Sequence, residues 1–502
     1  MRAALALVIA VGAIALGVLL AARGRRIDIR EWAVGGRRFG AVLYWFLSVG
    51  EVFTTFALLG AVGFVYAYGA PAYYILGPAT LSAALGYWLL PRIWLAGRRH
   101  DLLTQGDYFA ARFGSPWFGA VLAVAGIVAL LPYLQVQLTG LALIVGLLLG
   151  TPASQAATYV VLAGAAAVAF VLFGGMRSVA FSAIVKDVLL IGVLLVLVAG
   201  IGAVVHAGSP LDVFGAAARR YPAAATLPGR VAALRYNDLW FMSTLLLSPL
   251  SAWTFPHAFQ TAYTASGPGA VRRNLVFQPL YSLMYVLLFV LGLAALLAVP
   301  GLKNSNAALV ALVGTRFPGW VAGLLAGTGV LVALIPSAVI LLACASLLSR
   351  NVYRVAFPRA SDSTLLLVSR LAVVAFAAIA VAMSVQSGQT IVAIFISALS
   401  AVSQLFPSIL LSFTWRRITG WGAIAGLLTG GVIVAVGPIA TVVTTSLGGL
   451  LPAIPALAAN VLVTVVVSLL TPAPSAAAVA VGIEPGAPGD DGPIAVPAGA
   501  GT

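Results

Sequence analysis

Charge is scarce in this sequence: Asp, Glu, Lys and Arg make up 8% of its 502 residues, against 62% apolar ones and a mean hydropathy of +1.10. Soluble domains are about a quarter charged. A water-soluble globular protein of this length is therefore excluded. Acid is scarcer still, with 12 Asp and Glu against 27 Lys and Arg, a net charge of +15. That excess does not indicate nucleic acid, because the basic residues sit in short clusters between apolar runs, where orientation in a membrane accounts for them. Cysteine is nearly absent. The single Cys344, in an apolar run, rules out an internal disulfide and any cysteine-built metal site and leaves small-residue packing as its role. Motor and enzyme signatures are missing too: there is no GxxxxGK[ST], HExxH, GxSxG or GxGxxG. Without an ATP site, any transport runs on a gradient.

What is present is organised around the stretch from Phe39 to Gly69, FGAVLYWFLSVGEVFTTFALLGAVGFVYAYG. It is long and apolar enough to cross a bilayer, yet Gly50 and Glu51 stand near its middle. A charge at a helix centre costs about 2.5 to 3.5 kcal/mol on insertion scales, so such residues face a partner, an ion or water. Gly50 weakens the helix at that point. The pair predicts a discontinuous helix lining a transport site. A second interrupted run, Asp238 to Ser266, contains Pro249 and Pro256, each of which removes a helical hydrogen bond. Breaks at corresponding positions of two halves point to an inverted-repeat transporter with its site at the breaks. The plainer alternative is that proline and glycine are ordinary in membrane helices.

Apolar runs of about 20 residues start near residues 3, 42, 72, 117, 155, 180, 238, 274, 319, 364, 389, 418 and 451, which predicts about thirteen transmembrane helices. The first, about Ala3 to Ala22, is too long for a signal h-region of about 7 to 15 residues, and Arg23, Arg25 and Arg26 follow it. It reads as a retained span with its N-terminus outside. That orientation places 20 of the 27 basic residues inside, Lys186 among them, while Arg219, Arg220, Arg230 and Arg235 share one longer outer loop. The expected division is a first helix and basic loop (1–38), a five-helix repeat (39–207), an outer loop (208–237), a second five-helix repeat (238–414), two C-terminal helices (415–471) and a disordered cytoplasmic tail (472–502).

Polar residues inside the spans are the candidates for chemistry. No Lys or Arg in the sequence is placed to neutralise Glu51, which suits it to proton uptake and release. His257, just after a proline break, is either a structural histidine or a ligand to an anion or proton. Tyr133, Gln135 and Gln137 follow Pro132, and Gln137 lies one turn beyond Tyr133 on the same face, where the two bind substrate or bridge helices. Asp187 beside Lys186 reads as a helix-end pair. Gly422, Gly426 and Gly430 recur every four residues and read as close helix packing.

The segments WAVGGRRFG, GFVYAYG, LPYLQVQLTG, FGGMRSVAFSAIVKD, TFPHAFQTAYTAS and SQLFPSILLSFTWRRITGWGAIAGLLTG together resemble the sodium:solute symporter family, from about Trp32 to Gly430. The resemblance implies a leucine-transporter-like fold of two inverted five-helix repeats, with substrate held between two broken helices, in the inner membrane of a bacterium. VGEVFTTF, AIVKD, FPHAF and ALIPSAVILLACASLLSRNVYR are similar to the monocarboxylate permease branch, which takes up lactate, pyruvate, acetate and similar acids. Counting back from Tyr353, the positions where sodium-using members place a hydroxyl pair are Ile335 and Pro336, neither of which can ligate sodium. The family's Thr-Asp pair reads Ser182-Ala183, with Asp187 one turn on, while the acidic position of the first broken helix is kept as Glu51.

These readings converge on a secondary active importer of a small monocarboxylate, not an enzyme, with a proton preferred over sodium as coupling ion and with no cofactor, metal or nucleic acid. Val49, Gly50, Glu51 and Val52 are the expected ion-coupling residues, and Thr54, Tyr133, Gln137, Trp253, His257 and Gln404 the expected substrate site. Phe53 and Trp253 are expected as apolar walls, and the half-helix N-termini as N–H donors to the anion. Sodium-coupled uptake of another small solute is the alternative within transport. A transporter-like membrane sensor is the alternative outside it.

Overall fold

In the computed structural model, which describes residues 2–22, 29–149, 156–206, 208–231 and 236–483, the chain is almost entirely helical. Arg23, Arg25, Arg26, Arg235 and residues 484–502 lie outside the described residues. Among those described, eight helices are long and apolar enough to cross a membrane, or nine if Gly420–Ala435 and Gly437–Ser446, bent by 80°, count as one span. The remaining apolar runs take other forms. Ala157–Leu172 continues into Gly175–Val205 through a kink at Gly175, whose φ of 61° favours glycine, and Gly77–Arg99 carries Arg92, Arg98 and Arg99. The last two are the broken helices.

The first breaks between Ala41–Gly50 and Phe56–Tyr68, and the second between Asp238–Ala252 and Pro256–Thr264. Pro256 stands in the first turn of its half-helix, where a missing N–H costs nothing. The two are stitched together at one end: Phe39 N–H donates to Thr264 O at 3.0 Å and Ser266 N–H to Phe39 O at 2.9 Å. Around that end lies an arginine-rich face. Arg37 is buried, donates to Leu102 O and sits 5.5 Å over the Tyr263 ring, while Arg30 pairs with Asp101 at 2.5 Å and Arg177 with Glu31 at 2.7 Å.

Gly319–Ala356 runs through the middle, 94% buried over its apolar window. Helix Arg2–Ala22 lies close on it and on Ala156–Val205, because glycine permits near backbone contact: a Cβ at Gly17 would stand 2.1 Å from Ser182 Oγ, and one at Gly327 3.0 Å from Ala6 Cα. Gly422 and Gly426 likewise face Ser468 and Thr464, as their four-residue spacing predicts. Cys344 is buried and free.

Two expectations need correction. The tail is not disordered throughout, since Ala476–Ile483 forms a helix that docks Ala478 and Val481, one turn apart, against Gln105–Phe113 and Phe406–Thr414. Lys186 and Asp187 are neither a loop charge nor a helix-end pair. Both side chains are fully enclosed about three turns beyond the Gly175 kink.

Candidate functional site

A cavity of about 170 Å³ lies between the two breaks. Glu51, Val52, Thr54 and Phe56 line it from the first broken helix, Trp253, Phe255, His257 and Ala258 from the second. Tyr133, Ser82, Phe395 and the set Gln278, Ser282 and Tyr285 close the remaining walls. An apolar cavity of about 150 Å³ accommodates benzene. This one is therefore sized for a solute of roughly six to eight heavy atoms.

The polar groups are few and distinct. Among the described residues, Glu51 is the only acid on the wall and no Lys or Arg lines it. Its Oε1 accepts from Thr261 Oγ1 at 2.7 Å, while Oε2 stands 3.8 Å from His257 Nε2, beyond hydrogen-bond distance. His257 is held in an aromatic box, its ring 5.1 Å from Phe255 and 5.7 Å from Tyr133. Three buried polar atoms of wall residues have no hydrogen-bond partner: His257 Nδ1, Gln278 Oε1 and Tyr74 Oη. All three are enclosed away from the open space, so the polar groups that face it are those of Glu51 and its neighbours on the wall.

The first break is maintained by side chains from other helices. Residues 51–54 leave the helical conformation, and the carbonyls freed there need donors from elsewhere. Tyr133 Oη donates to Glu51 O at 3.3 Å and Tyr285 Oη to Val52 O at 3.4 Å. Lys186 Nζ donates to Gly50 O at 2.6 Å and Phe53 O at 3.2 Å. Gln137 Oε1 accepts from Thr55 N–H at 3.3 Å and Thr55 Oγ1 at 2.8 Å. Lys186 thus reaches the break beside Glu51, although it bonds the backbone there and pairs with Asp187, not with the Glu51 carboxylate.

Thr54, Tyr133, Trp253 and His257, expected at the substrate site, line the cavity. Gln137 and Gln404 do not. Gln137 is spent on Thr55, and Gln404 is fully buried where Asn460 Nδ2 donates to its backbone O at 2.7 Å, pinning a C-terminal helix. Phe53 is no cavity wall but packs behind it, its ring 4.8 Å from Tyr281 and 4.7 Å from Tyr285. Of the expected ion-coupling carbonyls, Val49 O accepts from Val52 N–H at 2.9 Å, and those of Gly50 and Val52 are taken as above. Ala183, not Ser182, approaches Gly50, and Ser182 faces Gly17 of the first helix. Gln278, Ser282 and Tyr285 are absent from the expected set, although their i, i+4, i+7 spacing in an apolar span is a legible polar stripe.

The sequence profile of the sodium:solute symporter family matches residues 32–430. The symporter YhjB of Bacillus subtilis is 35% identical over 475 residues, covering 93% of this chain and 94% of that protein. A monocarboxylate transport permease protein of Rhizobium johnstonii is 28% identical over 466 residues, 89% of this chain and 91% of its own. Among solved structures, a Na+-coupled sialic acid symporter in a substrate-bound outward-open state superposes with a TM-score of 0.76 at 14% identity, over 94% of this chain and 98% of that one. The architecture is accordingly the leucine-transporter-like inverted repeat of a multi-pass membrane protein, a transporter and not an enzyme. The preference for a proton drawn from Ile335 and Pro336 is overturned: the family is described by sodium, and the superposing structure belongs to a Na+-coupled symporter. Losing one hydroxyl pair removes one set of oxygens, not every set.

Proposed function

This chain belongs to the sodium:solute symporter family, which makes it a secondary active symporter of a small organic solute, and from that premise we propose that it imports a small monocarboxylate together with sodium. The observation that carries the reading is Glu51, a lone carboxylate on a cavity sized for about eight heavy atoms or fewer. Two like unit charges 4 Å apart repel by about 4 kcal/mol at an effective dielectric of about 20. An anion entering beside an ionised Glu51 is disfavoured by roughly a thousandfold. Sodium at Glu51 cancels that repulsion, so each ligand strengthens the other's binding, as linkage requires. His257 on the cavity wall and the start of Pro256–Thr264 then offer donors to the acid. The 28% identity to a monocarboxylate transport permease protein of Rhizobium johnstonii supports a monocarboxylate as the solute.

In this reading 39–207 and 238–414 are the two five-helix repeats, and the face carrying Arg30, Arg37, Arg177 and Arg350 is cytoplasmic, with the N-terminus outside and the C-terminus inside. Uptake of radiolabelled lactate, pyruvate and acetate into proteoliposomes tests it, with sodium and proton gradients imposed separately. Accumulation is expected with inward sodium at equal pH. Accumulation on a proton gradient in sodium-free buffer would refute the coupling, and transport of none of the three acids would refute the substrate class. Glu51→Gln is expected to bind the acid without sodium and to lose sodium-driven accumulation by more than tenfold.

A further inference from the structure

Lysine is rare here: the sequence holds two, Lys186 and Lys303, and the first is completely enclosed in mid-span. Its Nζ has three oxygens around it, Gly50 O at 2.6 Å, Asp187 Oδ1 at 2.9 Å and Phe53 O at 3.2 Å. Two of the three ammonium protons go to the carbonyls, and Asp187 pairs with the charge by proximity, its carboxylate oxygens taking no hydrogen bond. The oxygens themselves belong to a recognisable kind of site. Gly50 ends the first half-helix, where unpaired carbonyls concentrate partial negative charge, and unwound carbonyls joined by a carboxylate hold small hard cations in transporters. Gly50 is what lets the group come so near: a Cβ there would stand 3.1 Å from Nζ and 3.3 Å from Asp187 Oδ2.

We propose that Lys186 is a resident cation of the first break, its tethered ammonium filling a carbonyl-and-carboxylate site for a monovalent metal cation. This site is separate from the cavity, since neither Lys186 nor Asp187 is among the wall residues. The ammonium is not exchanged during transport. It holds the break open permanently, and it denies these carbonyls to the coupling sodium, which on the reading above binds at Glu51. Removing the lysine side chain while keeping Asp187 uncovers the latent site.

The test compares Lys186→Ala with wild type and with Lys186→Ala/Asp187→Asn, purified in detergent and melted in sodium chloride or choline chloride. The rise in melting temperature from choline to 100 mM sodium is expected to be at least about 3 °C larger for Lys186→Ala than for wild type, because a second cation bound only to the folded state adds to the stabilisation from Glu51. The double variant is expected to fall back to the wild-type difference, the part that sodium at Glu51 supplies. A folded Lys186→Ala protein whose sodium response is no larger than that of wild type overturns the proposal, as does a double variant that responds as strongly as Lys186→Ala. If Lys186→Ala cannot be purified even in sodium, wild type decides: uptake is expected to rise with sodium at a Hill coefficient of about 1, and a coefficient near 2 overturns the proposal. Should wild-type uptake ignore sodium, the functional reading falls while the melting comparison still stands or fails alone.

Discussion

The two breaks lie at matching places in the chain and are held by opposite means. At the first, residues 51–55 depend on Lys186, Tyr133, Tyr285 and Gln137, side chains that come from three other helices. At the second, most of the work is local: Thr254 Oγ1 donates to Leu250 O at 2.8 Å, Ser251 Oγ to Leu247 O at 2.8 Å, and Pro256 begins the next half. One distant side chain assists, Gln105 Nε2 donating to Thr254 O at 2.8 Å, and the break's own Trp253 Nε1 donates outward to Ser82 O at 2.5 Å. A break closed locally needs little from its neighbours. One held from outside is coupled to whatever moves those neighbours, which suits the first break to respond to an ion and the second to serve as a firmer wall.

The sharpest way to break this contrast is Gln137→Leu. It strands the buried Thr55 N–H, and an unsatisfied buried donor costs about 1 to 3 kcal/mol, so a clear fall in melting temperature and a reduced transport rate are expected. Next comes Gln105→Leu at the second break. Thr254 O loses one donor while the local hydroxyl bonds persist, and a loss of about 1 kcal/mol is expected in the same melting assay. Smallest is Pro256→Ala, which preserves the break and loosens only the unfolded chain, for about 0.4 to 1 kcal/mol. If Pro256→Ala proved costlier than Gln137→Leu, the assignment of external and local support would be reversed.

The difference between the breaks also explains what was legible. Pro249 and Pro256 announce the second break, because proline's missing N–H acts on its own helix wherever the helix sits. Gly50 and Glu51 announce the first for a similar reason, as a carboxylate in mid-span demands explanation in any fold. Five expected substrate residues lie on or beside those breaks or on the helix after Pro132, and four of them reach the cavity, while Gln137 turns to Thr55 instead. Gln404 stands at another interruption, between Ile391–Ser403 and Phe406–Thr414, and tertiary packing places it among the C-terminal helices instead of at the cavity. Lys186 was misread because the span was taken to begin near 180, whereas the kink at Gly175 starts it earlier and carries the lysine inward. The proton was preferred by subtracting one pair of oxygens, an argument blind to oxygens that other helices contribute.

The sequence alone determined that this chain is an all-helical membrane protein driven by a gradient, and that two of its helices are interrupted. Those properties follow from hydropathy, missing motifs and residues that disrupt their own backbone, all of them short-range. Which polar groups share one cavity, and that Lys186 belongs to the break at Gly50 although 136 positions separate them, was decided by tertiary structure. Side-chain reach across helices depends on their kinks, tilts and close glycine contacts, and periodicity along one helix does not set these.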